Sequence, residues 1–493
     1  MHKRLVIVAI LFCLLVRGGF LLVAPEPFQK DIDAYRAIAL CLQQTGQYGL
    51  LPAVPVESSD LEGKAEAAAE NALASLGSPK LGPPKLGSPK PTAFRPPLYP
   101  AVLSLLVKDG ALSVFAVACL HLTMAVLTVV AIFFAMKTVT GHAGLSLAAT
   151  MMVSLDPILL QQSSLVMTET MAAMLVAIVI FLWSQLTSKQ KTPGLIGPLA
   201  VGCILGLAYL CRPTFLVWAA LLISAFWVLC WRGQNTSGQA AWRGFLAGDV
   251  LVKPVVMGLP VLVILAAWTA RNQWVLGAPV WATTHGGYTI LLANNESFYD
   301  YVDASPARAV LGPPWDAEPF LDAYQHRFVG QMRAAEFWET DWQQTPLETP
   351  AFIDEVTDDQ DCNQAAKATI RRRPVTFVTS AVVRAMRLWS PLPLKRPPGF
   401  SIKIAGVVVW YLVVYALVLY AIVRHRKALF QRQWIAVWLL CLTLTAVHAV
   451  YWSNLRMRGP AMPALCMVAC LAFLPARRAQ TSPMDSSQPA SPG

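Results

Sequence analysis

The chain has 493 residues, of which 56% are hydrophobic and 14% charged, well short of the quarter that an ordinary soluble domain carries in charge. That balance excludes a single soluble globular domain and points to a membrane protein. The net charge of +11 then reads as the basic loops of one membrane face, not as a nucleic-acid surface. The histidines show no metal-ligand spacing, and most cysteines, among them Cys13, Cys119, Cys203, Cys230, Cys441, Cys466 and Cys470, fall in apolar runs where packing accounts for them.

The first apolar run, Leu5 to about Ala24, follows Lys3 and Arg4 and is interrupted by Arg17. With no small-residue cleavage pattern before Pro25, it is expected to be a retained helix, not a signal peptide. Asp31 to Leu42 carries Ile32, Tyr35, Ala39 and Leu42 at helical spacing, which predicts an amphipathic helix on the membrane surface. Residues 52–93 end in the repeat "LGSPKLGPPKLGSPKPTAF", whose composition marks a flexible insertion. Order is expected to resume at "FRPPLYPAVLSLLV", where the Pro pair fixes an extended turn.

Further apolar runs lie near 110–136, 143–160, 166–186, 195–210, 213–231, 252–270, 402–423, 433–452 and 458–475, giving about ten spans of an all-α polytopic fold. Basic residues at Lys137, Lys189, Lys191, Arg232, Arg243, Arg424, Arg426, Lys427 and Arg432 place both termini in the cytoplasm. Residues 25–97 and 271–401, with the turns at Asp156–Glu169, Arg212 and Ser453–Arg458, then face outward. The expected divisions are a module at 1–270, an outer loop or small domain at 271–401, C-terminal helices at 402–476 and a disordered tail at 477–493. Within the outer segment, "VTFVTSAVVRAMRLW" reads as a basic amphipathic stretch returning to the membrane. Cys41 and Cys362 are the cysteines clearly outside the spans, so one bridge between them is an open expectation.

Candidate chemistry sits at the outer level. Asp31, Asp33, Asp156 and Glu169 all fall beside helix ends, although Asp156 before Pro157 fits a helix cap. Short outer turns normally avoid cations, yet "CRPTF" holds Arg212 and "SNLRMRGPAMP" holds Arg456 and Arg458. An anionic ligand would offset that departure, and the guanidinium fork suits phosphate; salt bridges to the acids just named are the alternative. In "RNQWVLGAPVWATTHGGYTILLANN", His285, Asn294 and Asn295 could hydrogen-bond a polar ligand, and Trp274 and Trp281 could stack on a sugar. Asp31 and Asp33 would point about 200° apart on a helix.

In chain order "DIDAY", "FRPPLYP", "SSLVMTET", "CRPTF", "RNQWVLG", "THGGYTILLANN" and "RMRGPAMP" resemble the GT-C class of membrane glycosyltransferases, in particular the bacterial aminoarabinose transferase and protein O-mannosyltransferase-like family. The resemblance implies a GT-C-like helix arrangement in the plasma membrane. It also implies inverting transfer of a sugar from a polyprenyl-phosphate carrier to a glycan, lipid or protein acceptor, without nucleic acid. The family's Asp four residues before a Tyr falls on Asp31 and Tyr35; the family's next Glu is replaced by Ile32, with Asp33 beyond it. Asp31, Asp33 and Glu169 are thus the catalytic candidates. Tyr35, Arg95, Tyr99, Arg212, Arg271, His285, Asn294, Arg456 and Arg458 are the substrate-binding ones, with Arg456 and Arg458 at the carrier phosphate. The resemblance specifies no cofactor beyond the polyprenyl-phosphate-linked sugar as donor substrate, and it leaves a divalent metal at Glu169 open. The alternatives are a transporter or flippase of lipid-linked or anionic solutes and, among enzymes, a polymerase or ligase using a diphosphate carrier.

Overall fold

The computed structural model describes residues 2–23, 28, 31, 33–51, 88–188, 194–234, 248–312, 314–326, 354–393 and 401–475. Most of the expected insertion and the C-terminal tail therefore lie outside the described residues. The protein is all-α and polytopic. Among the described residues seven helices are long and apolar enough to cross a bilayer: His2–Val23, Val114–Thr140, Glu169–Ser188, Phe215–Arg232, Val250–Leu276, Ile402–Leu429 and Arg432–Val450. Ala143–Leu155 with Pro157–Ser163 makes an eighth, bent by 55°. The other two expected spans are shorter. Ile196–Cys211 has 16 residues, and the last run is divided by Pro460 and Pro463 into the 3-10 turn Leu455–Ala461 and the fully buried helix Met462–Cys470.

The bend has a local cause. Pro157 at the first helical position lacks an N–H for the preceding turn, and Asp156 caps the new helix by accepting from the Leu159 amide at 3.0 Å. Carbonyls left without intrahelical donors in an apolar setting need another partner. Arg17, 3% exposed, supplies one: its guanidinium donates to Val153 O at 2.8 Å and Leu159 O at 3.0 Å, on either side of the break. The Arg17 charge is thus buried against backbone oxygens.

Three further arginines are buried in the same manner. Arg384 donates to Ala449 O at 2.8 Å and to Ala293 O, Arg387 to Ala309 O at 2.7 Å, and Arg458 to Leu388 O at 3.0 Å and to Ser390 O. Each acceptor lies in the last turn of a helix or just beyond it, where carbonyls are unpaired and the helix dipole is negative.

The first loop folds as the helix Tyr35–Thr45, entered through Ala34 at φ 59°. Asp31 caps it from five and six residues away: Oδ1 accepts from the Arg36 amide at 3.0 Å and Oδ2 from the Ala37 amide at 2.9 Å. The chain then pairs Gly49–Leu50 with Lys90–Pro91 in a two-stranded antiparallel sheet, Gly49 opposite Pro91. A side chain at Gly49 would stand 2.4 Å from Lys90 O, so glycine permits that pairing. Cys41 and Cys362 are both free thiols.

The polar segment has its own apolar core of Leu291, Phe298, Tyr299, Val302, Phe320 and Ala366. Glu355 opens the helix Glu355–Arg372 and accepts from Thr92 Oγ1 at 2.6 Å and the Ala93 amide at 2.7 Å. That joins the segment to the first loop. In the helix Pro374–Trp389 the arginines turn inward, while Val375, Val378, Val382 and Met386, all more than half exposed, form an outward stripe. The amphipathic pattern read from the sequence is present with its apolar side outward, as a bilayer surface requires.

The helices Ile196–Cys211 and Gly248–Leu276 approach closely at Gly202, where a Cβ would lie 2.0 Å from Met257 O. Gly202→Ala should force the two backbones apart and cost about 1–3 kcal/mol. Thermal melts of the purified protein should show a lower Tm, and an unchanged Tm would mean that the pair is not closely packed.

Candidate active site

At one end of the helices, the first loop, several inter-helix turns and the polar segment enclose a cavity of about 1020 Å³. Asp33, Tyr35, Arg95, Arg212, His285 and Arg456 line it; Asp31, Tyr99, Glu169, Arg271, Asn294 and Arg458 do not. Because Asp31 is engaged at the start of its helix, Asp33 is the member of the pair that reaches the cavity. The left-handed turn at Ala34 separates the two carboxylates, so the 200° offset of a continuous helix does not apply here.

The cavity carries a linked ion cluster. Asp33 Oδ1 lies 2.9 Å from Arg95 Nη2, and Arg95 Nε also donates to the Asp33 carbonyl at 2.9 Å. Glu169, fully buried at the start of its helix, lies 2.6 Å from Arg212 Nη2, while Arg212 Nε donates to Thr168 Oγ1 at 2.9 Å. Arg456 stands between the two pairs, 3.8 Å from Asp33 Oδ2 and 3.8 Å from Glu169 Oε1. Three guanidiniums thus face two carboxylates. Burial alone would raise the Asp33 carboxyl, but Arg95 first and Arg456 next hold it below its ordinary range.

Aromatic contacts fix the rim. Tyr35 meets Tyr99 edge-on at 5.4 Å, and the Tyr99 hydroxyl is 2.7 Å from His121 Nε2, whose Nδ1 lies 2.8 Å from Ser163 O. Since Ser163 O can only accept, Nδ1 carries the proton, and Tyr99 donates to Nε2. Arg95 lies over the Phe94 ring at 4.4 Å, and His285 packs on Phe94 at 4.8 Å and on Tyr288 at 5.0 Å. Burial, then Arg95, push the His285 imidazole well below its ordinary range, so it is neutral at pH 7.

The remaining sequence candidates are engaged in the protein itself. Arg271 donates to Thr92 O and Tyr48 O, both at 2.7 Å. Asn294 donates to Ile290 O at 2.7 Å and Val450 O at 3.0 Å, and accepts from the Tyr299 hydroxyl. Arg458 lies over the Tyr411 ring at 4.2 Å, behind the cavity. Trp281 lines the cavity, whereas Trp274 is 90% exposed elsewhere.

Sequence reasoning passed over Phe94, Thr168 and the cavity face of the helix Glu355–Arg372. Val356, Asp359, Gln360 and Asn363 all line the cavity, at the spacing of one helical stripe; that signal was available in "DEVTDDQDCN" behind its acidity. Asp359 Oδ1 accepts from the Gly287 amide at 2.6 Å, and a Cβ on Gly287 would sit 1.9 Å from Asp359 O. Burial, assisted by Asp358 and Glu355, lifts the Asp359 carboxyl to about 6 against that hydrogen bond.

Among the described residues no group of three or more His, Cys, Asp or Glu side chains is placed to hold a metal ion. Asp33 and Glu169 already face arginines, and this donor set does not suit a divalent cation.

No family model and no curated protein matches the chain. Among solved structures, it is similar to the archaeal oligosaccharyltransferase AglB from Archaeoglobus fulgidus in complex with an inhibitory peptide and a dolichol-phosphate. Identity is 12% and the TM-score 0.47, over 96% of this chain and 50% of that one. It is also similar to ArnT from Cupriavidus metallidurans bound to undecaprenyl phosphate, at 11% identity and a TM-score of 0.35, over 94% and 76%. The chain thus spans about half the length of AglB.

An aspartate raised from about 3.9 in the unfolded chain to about 6 in the fold contributes stability at low pH that is lost as pH rises through about 6. Asp359→Asn should therefore flatten the fall in Tm between about pH 4 and pH 7. Parallel melts across that range would check it, and an identical slope in the variant would refute the assignment.

Proposed function

We propose that the cavity transfers a sugar from a polyprenyl-phosphate carrier to an acceptor on the extracytoplasmic face of the plasma membrane. The observation that carries this reading is the placement of Arg456. It stands 3.8 Å from each of two carboxylates, and its buried Nε has no hydrogen-bond partner among the described residues. A buried guanidinium nitrogen is seldom left unpaired. With one positive charge in excess, the cluster is built to receive an anion, and the arginine fork matches phosphate oxygens.

The chemistry follows from the same residues. The acceptor hydroxyl oxygen attacks the anomeric carbon as the bond from that carbon to the phosphate oxygen breaks. The proton passes to Asp33, and the phosphate leaves with the electron pair toward Arg456 and Arg212. Direct displacement inverts the anomeric centre. Asp33 is held ionised in the resting cavity by Arg95 and Arg456. A phosphate that draws Arg456 away raises the basicity of Asp33 at the moment it is needed. Glu169 does not line the cavity; it positions Arg212 and Arg456 from behind. Glu169 faces Arg212 and Arg456, a setting that does not suit a divalent metal.

Asp33→Asn should lower transfer by about 10²–10⁴-fold with the protein still folded and inserted. Asp31→Asn should mainly weaken the helix start, by about 0.5–2 kcal/mol. Incubating the purified protein with labelled polyprenyl-phosphate sugars, and reading both consumption and the anomeric configuration of the product, tests the assignment. Full activity of Asp33→Asn, or retention of configuration, would overturn it. Arg456→Ala should weaken undecaprenyl phosphate binding about tenfold or more, as expected for a lost charged hydrogen bond of about 1.5–3 kcal/mol; unchanged binding would remove Arg456 from the donor site.

A further inference from the structure

We infer that the cavity has a second compartment, formed by the helix Glu355–Arg372 and the aromatic residues opposite it, and that this compartment holds a neutral carbohydrate acceptor. The inference rests on the glycosyltransferase reading and adds the acceptor class. Asp359, Gln360 and Asn363 present polar side chains to the cavity within one turn of helix. Among the described residues none hydrogen-bonds the side-chain amide of Gln360 or Asn363. The adjoining face of this helix is fixed: Cys362, Ala365 and Ala366 are buried in the apolar core, and Thr369 is buried with them.

Tyr451, Trp452 and Trp315 also line the cavity. Tyr451 and Trp452 are half-buried, and Trp452 packs on Trp315 with ring centroids 5.8 Å apart. Tyr451 lines the same cavity as the polar strip of Asp359, Gln360 and Asn363. The wall thus combines ring faces with amides and a carboxylate. A sugar ring offers the matching chemistry, an apolar C–H face for aromatic stacking and adjacent hydroxyls that both donate and accept.

Other acceptor classes fit less well. A cationic amine would enter a cavity where guanidiniums already outnumber the paired carboxylates. An extended peptide docks best on a free strand edge, whereas the polar strip lies on a helix whose backbone groups are paired internally. An anionic acceptor would meet Asp359. His285 marks the join between compartments: it packs on Phe94 of the ionic side and stacks on Tyr288, next to the Gly287 amide that holds Asp359. A donor phosphate at Arg456 and a sugar at Asn363 would therefore meet in one continuous space.

The test uses the full-length protein in nanodiscs, with neutral methyl glycosides and disaccharides, a Ser/Thr peptide and undecaprenyl phosphate as separate probes of tryptophan fluorescence. Neutral saccharides should bind saturably. The double variant Gln360→Ala/Asn363→Ala should weaken them about tenfold, the effect of one to two hydrogen bonds, with undecaprenyl phosphate affinity and Tm unchanged. Arg456→Ala should do the reverse. Saccharide binding that the double variant leaves intact, or peptide binding without saccharide binding, would overturn the inference while leaving the donor reading in place. Saccharide binding that follows the double variant, with no response to undecaprenyl phosphate, would uphold the compartment and remove the donor assignment.

Discussion

Charges removed from water must neutralise one another before they can do anything else, and the cavity is organised around that demand. The desolvation cost of each ion is several kcal/mol even after relaxation. Asp33, Glu169, Arg95, Arg212 and Arg456 meet it collectively, since each acid touches more than one arginine. These residues come from the first loop, the segment just after Lys90–Pro91, the start of one membrane helix, the turn after another and the 3-10 turn Leu455–Ala461. The cluster therefore joins distant parts of the sequence at one level, and its members cannot move independently. Arg456 is the loosest, at 3.8 Å from both acids, and for that reason the one most able to answer an incoming anion.

The same scarcity of water explains the other buried arginines. Arg17, Arg384, Arg387 and Arg458 each donate to backbone oxygens at helix breaks and ends. Helices that stop inside a membrane protein leave carbonyls that lipid cannot satisfy. A guanidinium, with five donors in a plane, reaches two such oxygens at once. Arginine thus has two uses in this chain: at breaks it closes the hydrogen-bond inventory of the backbone, and at the cavity it keeps a donor in reserve.

The sequence made the apolar spans legible, because a run of that length satisfies its own backbone and needs no tertiary information. It also marked Asp33, Glu169, Arg212 and Arg456 by their positions beside helix ends. It could not separate Arg456 from Arg458. The two stand two residues apart in one turn, and only packing decides that Arg458 lies over Tyr411 while Arg456 enters the cavity. Asp31 and Asp33 posed the same difficulty. The left-handed Ala34 and the capping of the Arg36 and Ala37 amides are conformational choices that composition does not encode. The cavity face of the helix Glu355–Arg372 was present as a regular stripe, masked by a run of acids that reads as solvated surface.

The short pairing of Gly49–Leu50 with Lys90–Pro91 has a consequence for how this protein tolerates change. The strands set Leu50 opposite Lys90, so the described positions on either side of 52–87 are held beside each other. The chain resumes from the clasp a few positions before Arg95, so the pairing also sets where Arg95 meets Asp33. A side chain at Gly49, which would meet Lys90 O at 2.4 Å, is therefore a change that would be felt at the ion cluster beyond the clasp.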